Sequence, residues 1–348
     1  MRLIINSIPL GANVHKNFLP VIRILIALTA VSYIVFTLTG ISGKEWVVWR
    51  SALHLSITNL FTLALVLFLM LCNWSLEVLK WKLLSAKIEI QSWSKAIYAV
   101  LFGISLGMIT PKRTGEFAGR VYWLQPENRL SGLLLNTAGS ISQLFVTLMA
   151  GVAAIVVMLP KLQSHYNLIT PQLANPSWFL YAGISAGLFI AAFVFFLSVI
   201  ARAKNIKRNT IKGKIARALR VFALLTRGDL STILGLSLLR YCTFSVQFYL
   251  LLTLFGLQIP FLTAISLIAI IYLFMTLIPL SAIWELGVRG SVAVLVFKLY
   301  FPEPGMDFFE IPVLAATTLL WAINLALPAM AGGLLGLNAE LNSSKSKE

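Results

Sequence analysis

Apolar runs separated by short polar loops set the pattern of this chain. Six of them are long enough to cross a bilayer as helices, which takes about 20 apolar residues. They lie near 20–40, 55–79, 131–159, 178–201, 231–255 and 309–337. Two further runs differ. Residues 95–110 are short, carry Gly103 and Gly107, and end at Pro111. Residues 260–283 are longer, but Pro279 interrupts them near their end. A charged motif and a shorter helical stretch follow each one, at 116–124 and 285–301, closed by Pro126 and Pro302. The pattern predicts an all-α polytopic membrane protein of about six to eight transmembrane helices, in a single membrane domain.

Basic residues orient such a chain, because cytoplasmic loops hold the excess of Lys and Arg. Nine lie between 202 and 229, and four in each of the segments 80–95 and 112–129. If 95–110 crossed the membrane, one of those last two basic segments would lie outside. If it enters and turns back, both stay inside. The charge pattern therefore predicts a re-entrant hairpin at 95–110, and by the same logic at 260–283. On that topology 22 of the 28 bases are cytoplasmic, and so are both termini. Residues 207–227 place Ile211, Ile215, Leu219, Phe222 and Leu225 among many bases. This is the spacing of a basic amphipathic helix lying on an anionic leaflet. Equally, it suits a surface loop whose task is to fix topology.

The two halves, 20–159 and 178–337, follow the same order: helix, helix, broken hairpin, charged motif, short helix, proline turn, long helix. In each motif a proline precedes a glutamate by five or six residues, and an arginine follows that glutamate by four. The pairs are Glu116/Arg120 and Glu285/Arg289. That spacing puts each pair on one helix face. Three crossings per half would invert the second half relative to the first, an arrangement transporters use to build a site at the bilayer midplane.

Composition agrees and narrows the choices. Of 348 residues 59% are hydrophobic and 11% charged, and the net charge is +16. Soluble domains average roughly 25% charged residues, so a soluble, disordered or collagen-like chain is excluded. The basic excess then points to an anionic membrane surface rather than nucleic acid. The first apolar run ends in no clean cleavage site, and predicts a retained helix of the cytoplasmic (inner) membrane. Cys72 and Cys242 sit in apolar runs as small hydrophobes, and His15, His54 and His165 are scattered, so neither a metal nor another cofactor is expected.

The candidate chemistry is ionic. Charges at membrane depth are costly and usually face a protein interior or a water-filled cavity. Arg113, Glu116, Arg120, Glu285 and Arg289 stand at the two breaks, and Arg240 about ten residues inside an apolar run. The arginines suit a phosphate by bidentate hydrogen bonds. The same groups would also serve as structural salt bridges. Arg240 is too deep to snorkel and needs a carboxylate, with Glu285 or Glu116 the expected partner. Trp74, Glu77, Lys80, Trp81 and Lys82 resemble interfacial anchors at the end of the second helix, Glu77 being the odd member.

The run Thr110, Pro111, Arg113, Gly115, Glu116, the run Glu285 to Gly290, and the stretch Trp74 to Trp81 together resemble the lysylphosphatidylglycerol synthase transmembrane-region family, also called the flippase-like domain family. The resemblance covers about 15 to 340. It implies an integral membrane protein that moves a lipid or lipid-linked headgroup between leaflets. Members often carry a fused soluble aminoacyl-transferase domain, which this chain does not show; lysine transfer to lipid is not expected of it alone. Ser281, Ala282, Ile283 and Trp284 stand where the family would place a glycine-rich turn, which makes a bulkier turn here.

The leading expectation is a lipid translocator, not an enzyme. Its site would be Arg113, Glu116, Arg120, Arg240, Glu285 and Arg289, and its partner an anionic phospholipid or lipid-linked headgroup. The alternatives are a scaffold or partner subunit of a separate lipid-modifying or glycosyl-transferring membrane enzyme, and a membrane-embedded transferase with Glu116 or Glu285 as base.

Overall fold

The computed structural model describes Val47 and residues 56–110, 113–166, 220–278, 282–301 and 309–334. The apolar runs at 20–40 and 178–201, and most of the linker at 202–229, lie outside the described residues. What is described is all helical: α1 (Ile57–Ser85), α2 (Trp93–Ile109), α3 (Thr114–Tyr122), α4 (Arg129–Tyr166), α5 (Arg227–Leu254), α6 (Phe261–Leu277), α7 (Ala282–Tyr300) and α8 (Glu310–Trp321). α8 runs through a π-helical turn at Ala322–Ala326 and continues to Leu334. Four helices are long and apolar enough to cross a membrane: Ile57–Ser85, Arg129–Met158, Arg227–Leu254 and Glu310–Leu334. A 17-residue helix follows a long one twice along the chain, as α1–α2 and as α5–α6, and a shorter or longer helix follows each, α3 of 9 residues and α7 of 19.

Local chemistry sets the ends. The Ser56 hydroxyl accepts from Asn59 N–H and opens α1; Ser92 does the same for α2 through Lys95 N–H. Thr226 and Asp229 cap each other reciprocally at the start of α5. Between α2 and α3 a single hydroxyl serves both ends. Thr110 Oγ1 donates to the Leu106 carbonyl at 2.9 Å and accepts from Gly115 N–H at 2.7 Å. Arg113 stands at φ 54°, the left-handed conformation that reverses the chain.

α2 and α3 then pack antiparallel with their backbones in contact. Gly103 and Gly107 on α2 face Gly115 and Gly119 on α3, two small-xxx-small pairs back to back. A Cβ on Gly119 would stand 2.5 Å from Gly103 Cα, and one on Gly115 2.3 Å from the Leu106 carbonyl oxygen. At about 1.5 Å per residue, the nine residues of α3 span roughly 13 Å, far short of a bilayer core of about 30 Å.

Two apolar clusters organise the rest. One joins α5, α6, α7, α8 and α4 around Phe248, Ile268, Ile271, Phe297 and Leu320. The other seats the α2–α3 hairpin between α1 and the last helix, through Trp74, Trp81, Val100, Ile104 and Leu325. The last helix is the central one: 67% of its apolar window is buried, against 28% for α1 and for α4. Outward positions of α1, such as Ile57, Phe61, Phe68 and Leu71, are exposed and apolar. Acyl chains favour such a face.

One expectation changes here. Phe222 and Leu225, expected on a leaflet-bound amphipathic helix, are buried in the protein instead. Arg220–Leu224 is a single 3-10 turn, and Val221, Phe222 and Leu225 pack with Leu84, Leu135, Ala138 and Ile233. The ends of α1, α4 and α5 leave an apolar notch between them, and these side chains fill it. The sequence pattern registers amphipathicity but not the identity of the apolar phase.

Candidate functional site

The site begins with depth. Arg240 is the fourteenth of the 28 residues of α5, so it stands roughly 20 Å from either helix end at about 1.5 Å per residue. A guanidinium so placed needs a counter-charge, and α1 supplies it. Arg240 Nη1 donates to Glu77 Oε2 at 2.5 Å, and its Nε donates to Asn73 Oδ1 at 2.9 Å. Its guanidinium lies over the Trp74 ring, 5.0 Å from the centroid. Asn73 Nδ2 in turn donates to Asn324 Oδ1 at 3.1 Å. Asn324 belongs to the π-helical turn of the last helix, and such turns are frequent at functional sites.

Glu77 is the hub of this cluster. It is 3% exposed and accepts from three cations: Arg240, Arg120 at 2.6 Å and Lys80 at 2.8 Å. Arg120 Nη1 also donates to Asn136 Oδ1 of α4 at 2.8 Å. One carboxylate therefore ties α1, α3 and α5 together, and Arg120 extends the network to α4. Arg113, at the break, forms its own pair with Glu116 at 2.6 Å.

Above this hub is a cavity of about 80 Å³, lined by Asn73 and Trp74 of α1, Arg113 of the break, Arg240 and Phe244 of α5, and Arg289 of α7. The last helix closes it with Leu320, Trp321, Asn324 and Leu325. The Arg289 guanidinium stands 6.0 Å from the Phe244 ring centroid. Arginines from three separate segments, one after each break and one at the middle of α5, thus converge on one space. No carboxylate lines it among the described residues. The cluster can hold an anion by several guanidinium hydrogen bonds in a setting shielded by aromatic rings.

The six residues expected from sequence divide into groups. Arg113, Arg240 and Arg289 line the cavity. Glu116 stands behind it as the partner of Arg113, and Arg120 stands one layer away, holding Glu77. Glu285 is in the first turn of α7, and its side chain lies outside the described residues. The partner seen for Arg240 is Glu77 rather than Glu116. Glu77 resembled an interfacial anchor because the apolar run appeared to end at 79; α1 continues to Ser85, almost two turns further, and this makes Glu77 internal. Asn73, Asn324 and Asn136 were missed. A signal was present in Asn73, Glu77 and Lys80, which recur at spacings of four and three along an apolar helix.

Among the described residues no three His, Cys, Asp or Glu side chains gather as metal ligands. Residues 20–333 match the family model described as the lysylphosphatidylglycerol synthase TM region. No curated protein and no solved structure matches the chain.

Proposed function

Since the chain belongs to the family of the lysylphosphatidylglycerol synthase TM region, we propose that it translocates a membrane lipid, its headgroup passing between leaflets through the arginine-lined cavity. The observation that carries this is the convergence of Arg113, Arg240 and Arg289 on one space at the mid-depth of membrane-length helices. Ionisable groups at such depth mark substrate paths. Only the headgroup needs polar surroundings; acyl chains remain in the bilayer against apolar faces such as that of α1.

The two broken helices fit this role. We read α2–α3 as a re-entrant hairpin, because neither its length nor its basic flanks suit a crossing, and α6–α7 as its counterpart in an inverted second half. Arg113 stands at the first break and Arg289 two turns after the second, so each half contributes one arginine to the cavity. Rocking of one half against the other would then expose the cavity to each leaflet in turn. We read the distribution of bases as that of a cytoplasmic-membrane protein with both termini inside. Lipid is moved unaltered, with no covalent step.

The test is headgroup flipping in proteoliposomes, read by loss of outer-leaflet fluorescence of labelled lipids to a membrane-impermeant quencher. Replacement of both Arg113 and Arg289 by Gln is expected to lower the flipping rate at least about tenfold, since each guanidinium–phosphate contact is a charge-assisted one. Wild-type flipping by a folded double variant would refute the reading.

A further inference from the structure

Arg240 meets the cavity as an oriented group, and its hydrogen bonds show how. A guanidinium carries N–H donors in a rigid plane and no acceptor. At Arg240, Nε donates to Asn73 Oδ1 at 2.9 Å and Nη1 donates to Glu77 Oε2 at 2.5 Å. The Trp74 ring packs against the same guanidinium, its centroid 5.0 Å away. Glu77, shared with Lys80 and Arg120, holds the plane at one point; Asn73 supplies the second, which stops it turning. Nη2 makes no hydrogen bond among the described residues, and the side chain is 21% exposed and lines the cavity. Nη2 is therefore the part of this arginine left to a ligand.

The acceptor for Nε is itself held in one sense. An amide side chain has a donor end and an acceptor end of nearly the same shape, so a lone asparagine would present either. Here the last helix fixes the choice. The Leu320 carbonyl can only accept, and Asn324 Nδ2 donates to it at 3.2 Å. Asn324 Oδ1 is thereby turned to Asn73 and accepts from its Nδ2 at 3.1 Å. That leaves Asn73 Oδ1 for Arg240. Both ends of the chain are one-way, a carbonyl that only accepts and an Nε–H that only donates. Asn73 and Asn324 are 2% and 4% exposed, so water does not compete for these groups.

We propose that Asn73, oriented by Asn324, is a positioning residue for the headgroup: it fixes the Arg240 guanidinium so that Nη2 meets a phosphate oxygen of the lipid in the cavity. This rests on the reading of the cavity as a lipid-headgroup site. What it adds is the part played by two neutral side chains, which acts through Arg240. Because the relay is in place without a ligand, the lipid need not order the arginine on entry.

The probe is acyl-labelled phosphatidylglycerol, whose headgroup carries a phosphate and no amine, with the full chain in phosphatidylcholine proteoliposomes. Asn73→Leu keeps the approximate size of the side chain and removes the acceptor. It should raise the mole fraction of labelled lipid at half-maximal flipping about tenfold, the worth of a hydrogen bond to a charged group, and change the maximal rate less than about twofold. The discriminating background is Arg240→Lys, whose ammonium still pairs with Glu77 but offers no planar fork for Asn73 to hold. There Asn73→Leu should change the half-maximal mole fraction less than about twofold. An effect that persists in that background, or is missing from the wild-type background, would overturn the positioning role. An asparagine that merely tied α1 to the last helix would act in both. Where Asn73→Leu yields too little folded protein, Asn324→Leu frees the Asn73 amide and should show the same dependence on Arg240 with a smaller shift, about threefold.

If the wild type flips no phosphatidylglycerol, translocation of this headgroup fails, and binding carries the same comparison. In detergent, the phosphatidylglycerol concentration giving a set rise in unfolding temperature should increase about tenfold in Asn73→Leu, and less than about twofold on adding Asn73→Leu to Arg240→Lys. Stabilisation by inorganic phosphate alone, with the same dependence on Asn73, would support the positioning and overturn the lipid part. No stabilisation by either probe would overturn Arg240 as an anion contact, and the relay's role with it.

Discussion

Glu77→Gln isolates the charge at the hub with almost no change of shape. The wild-type carboxylate is 3% exposed and takes hydrogen bonds from Arg240, Arg120 and Lys80 at 2.5, 2.6 and 2.8 Å. A glutamine there leaves three buried cations facing a neutral amide, whose NH₂ end is itself a donor. Breaking one buried pair by removing a partner costs about 3–5 kcal/mol, because the other charge stays behind uncompensated. With three cations left behind, the upper end applies, about 5 kcal/mol. That is a large share of the roughly 5–15 kcal/mol by which ordinary domains are stable. Arg240→Gln should cost less, about 1–2 kcal/mol, because Arg240 is 21% exposed and Glu77 keeps two other partners.

The double variant separates this ionic account from simple loss of packing. With both Glu77 and Arg240 replaced by Gln, one of the stranded cations is gone, and the cost should fall short of the sum of the single costs by at least about 1 kcal/mol. Equilibrium unfolding in mixed micelles, followed by tryptophan fluorescence, measures all three; Trp74, Trp81 and Trp321 surround the hub and report its loss. Where Glu77→Gln gives too little folded protein, Glu77→Asp keeps the charge and should recover most of the stability. A cost below about 1 kcal/mol for Glu77→Gln, or single costs that add within about 0.5 kcal/mol, would refute the assignment of Glu77 as hub.

Two further predictions concern the scaffold. Gly119→Leu should separate α2 from α3, since even a Cβ meets Gly103 Cα at 2.5 Å, and should cost several kcal/mol, roughly the 1–3 kcal/mol of core overpacking or more. Gly235→Ala, with nothing within 4 Å of its added Cβ, should be neutral or stabilise by up to about 1 kcal/mol on the same unfolding curves. Phe222→Ala should cost about 3 kcal/mol if the linker end is seated among Leu84, Leu135 and Ile233, and almost nothing if it rests on lipid; unfolding midpoints decide between them.

The helices were legible because a bilayer imposes a length that few sequences meet by accident, and all four described membrane-length helices coincide with apolar runs. The breaks were legible too, since Pro111 closes one apolar run just before a charged motif and Pro279 interrupts another. Depth alone told that Arg240 requires a carboxylate. What sequence left open was the partner, because α1 and α5 are far apart in the chain and the pairing depends on where along α1 the membrane ends. An apolar run stops at its first charge, but a helix need not, and α1 carries Glu77 and Lys80 inward by extending to Ser85. Asn73 and Asn324, 251 positions apart, form a hydrogen bond that no local pattern announces. The same reasoning explains why the net charge of +16 said little about the site. Most of those bases stand between the apolar runs, where the sequence pattern assigns them to orientation. The charges that matter to the site are the few gathered around Glu77, where Lys80, Arg120 and Arg240 share one buried carboxylate and each holds the others in place.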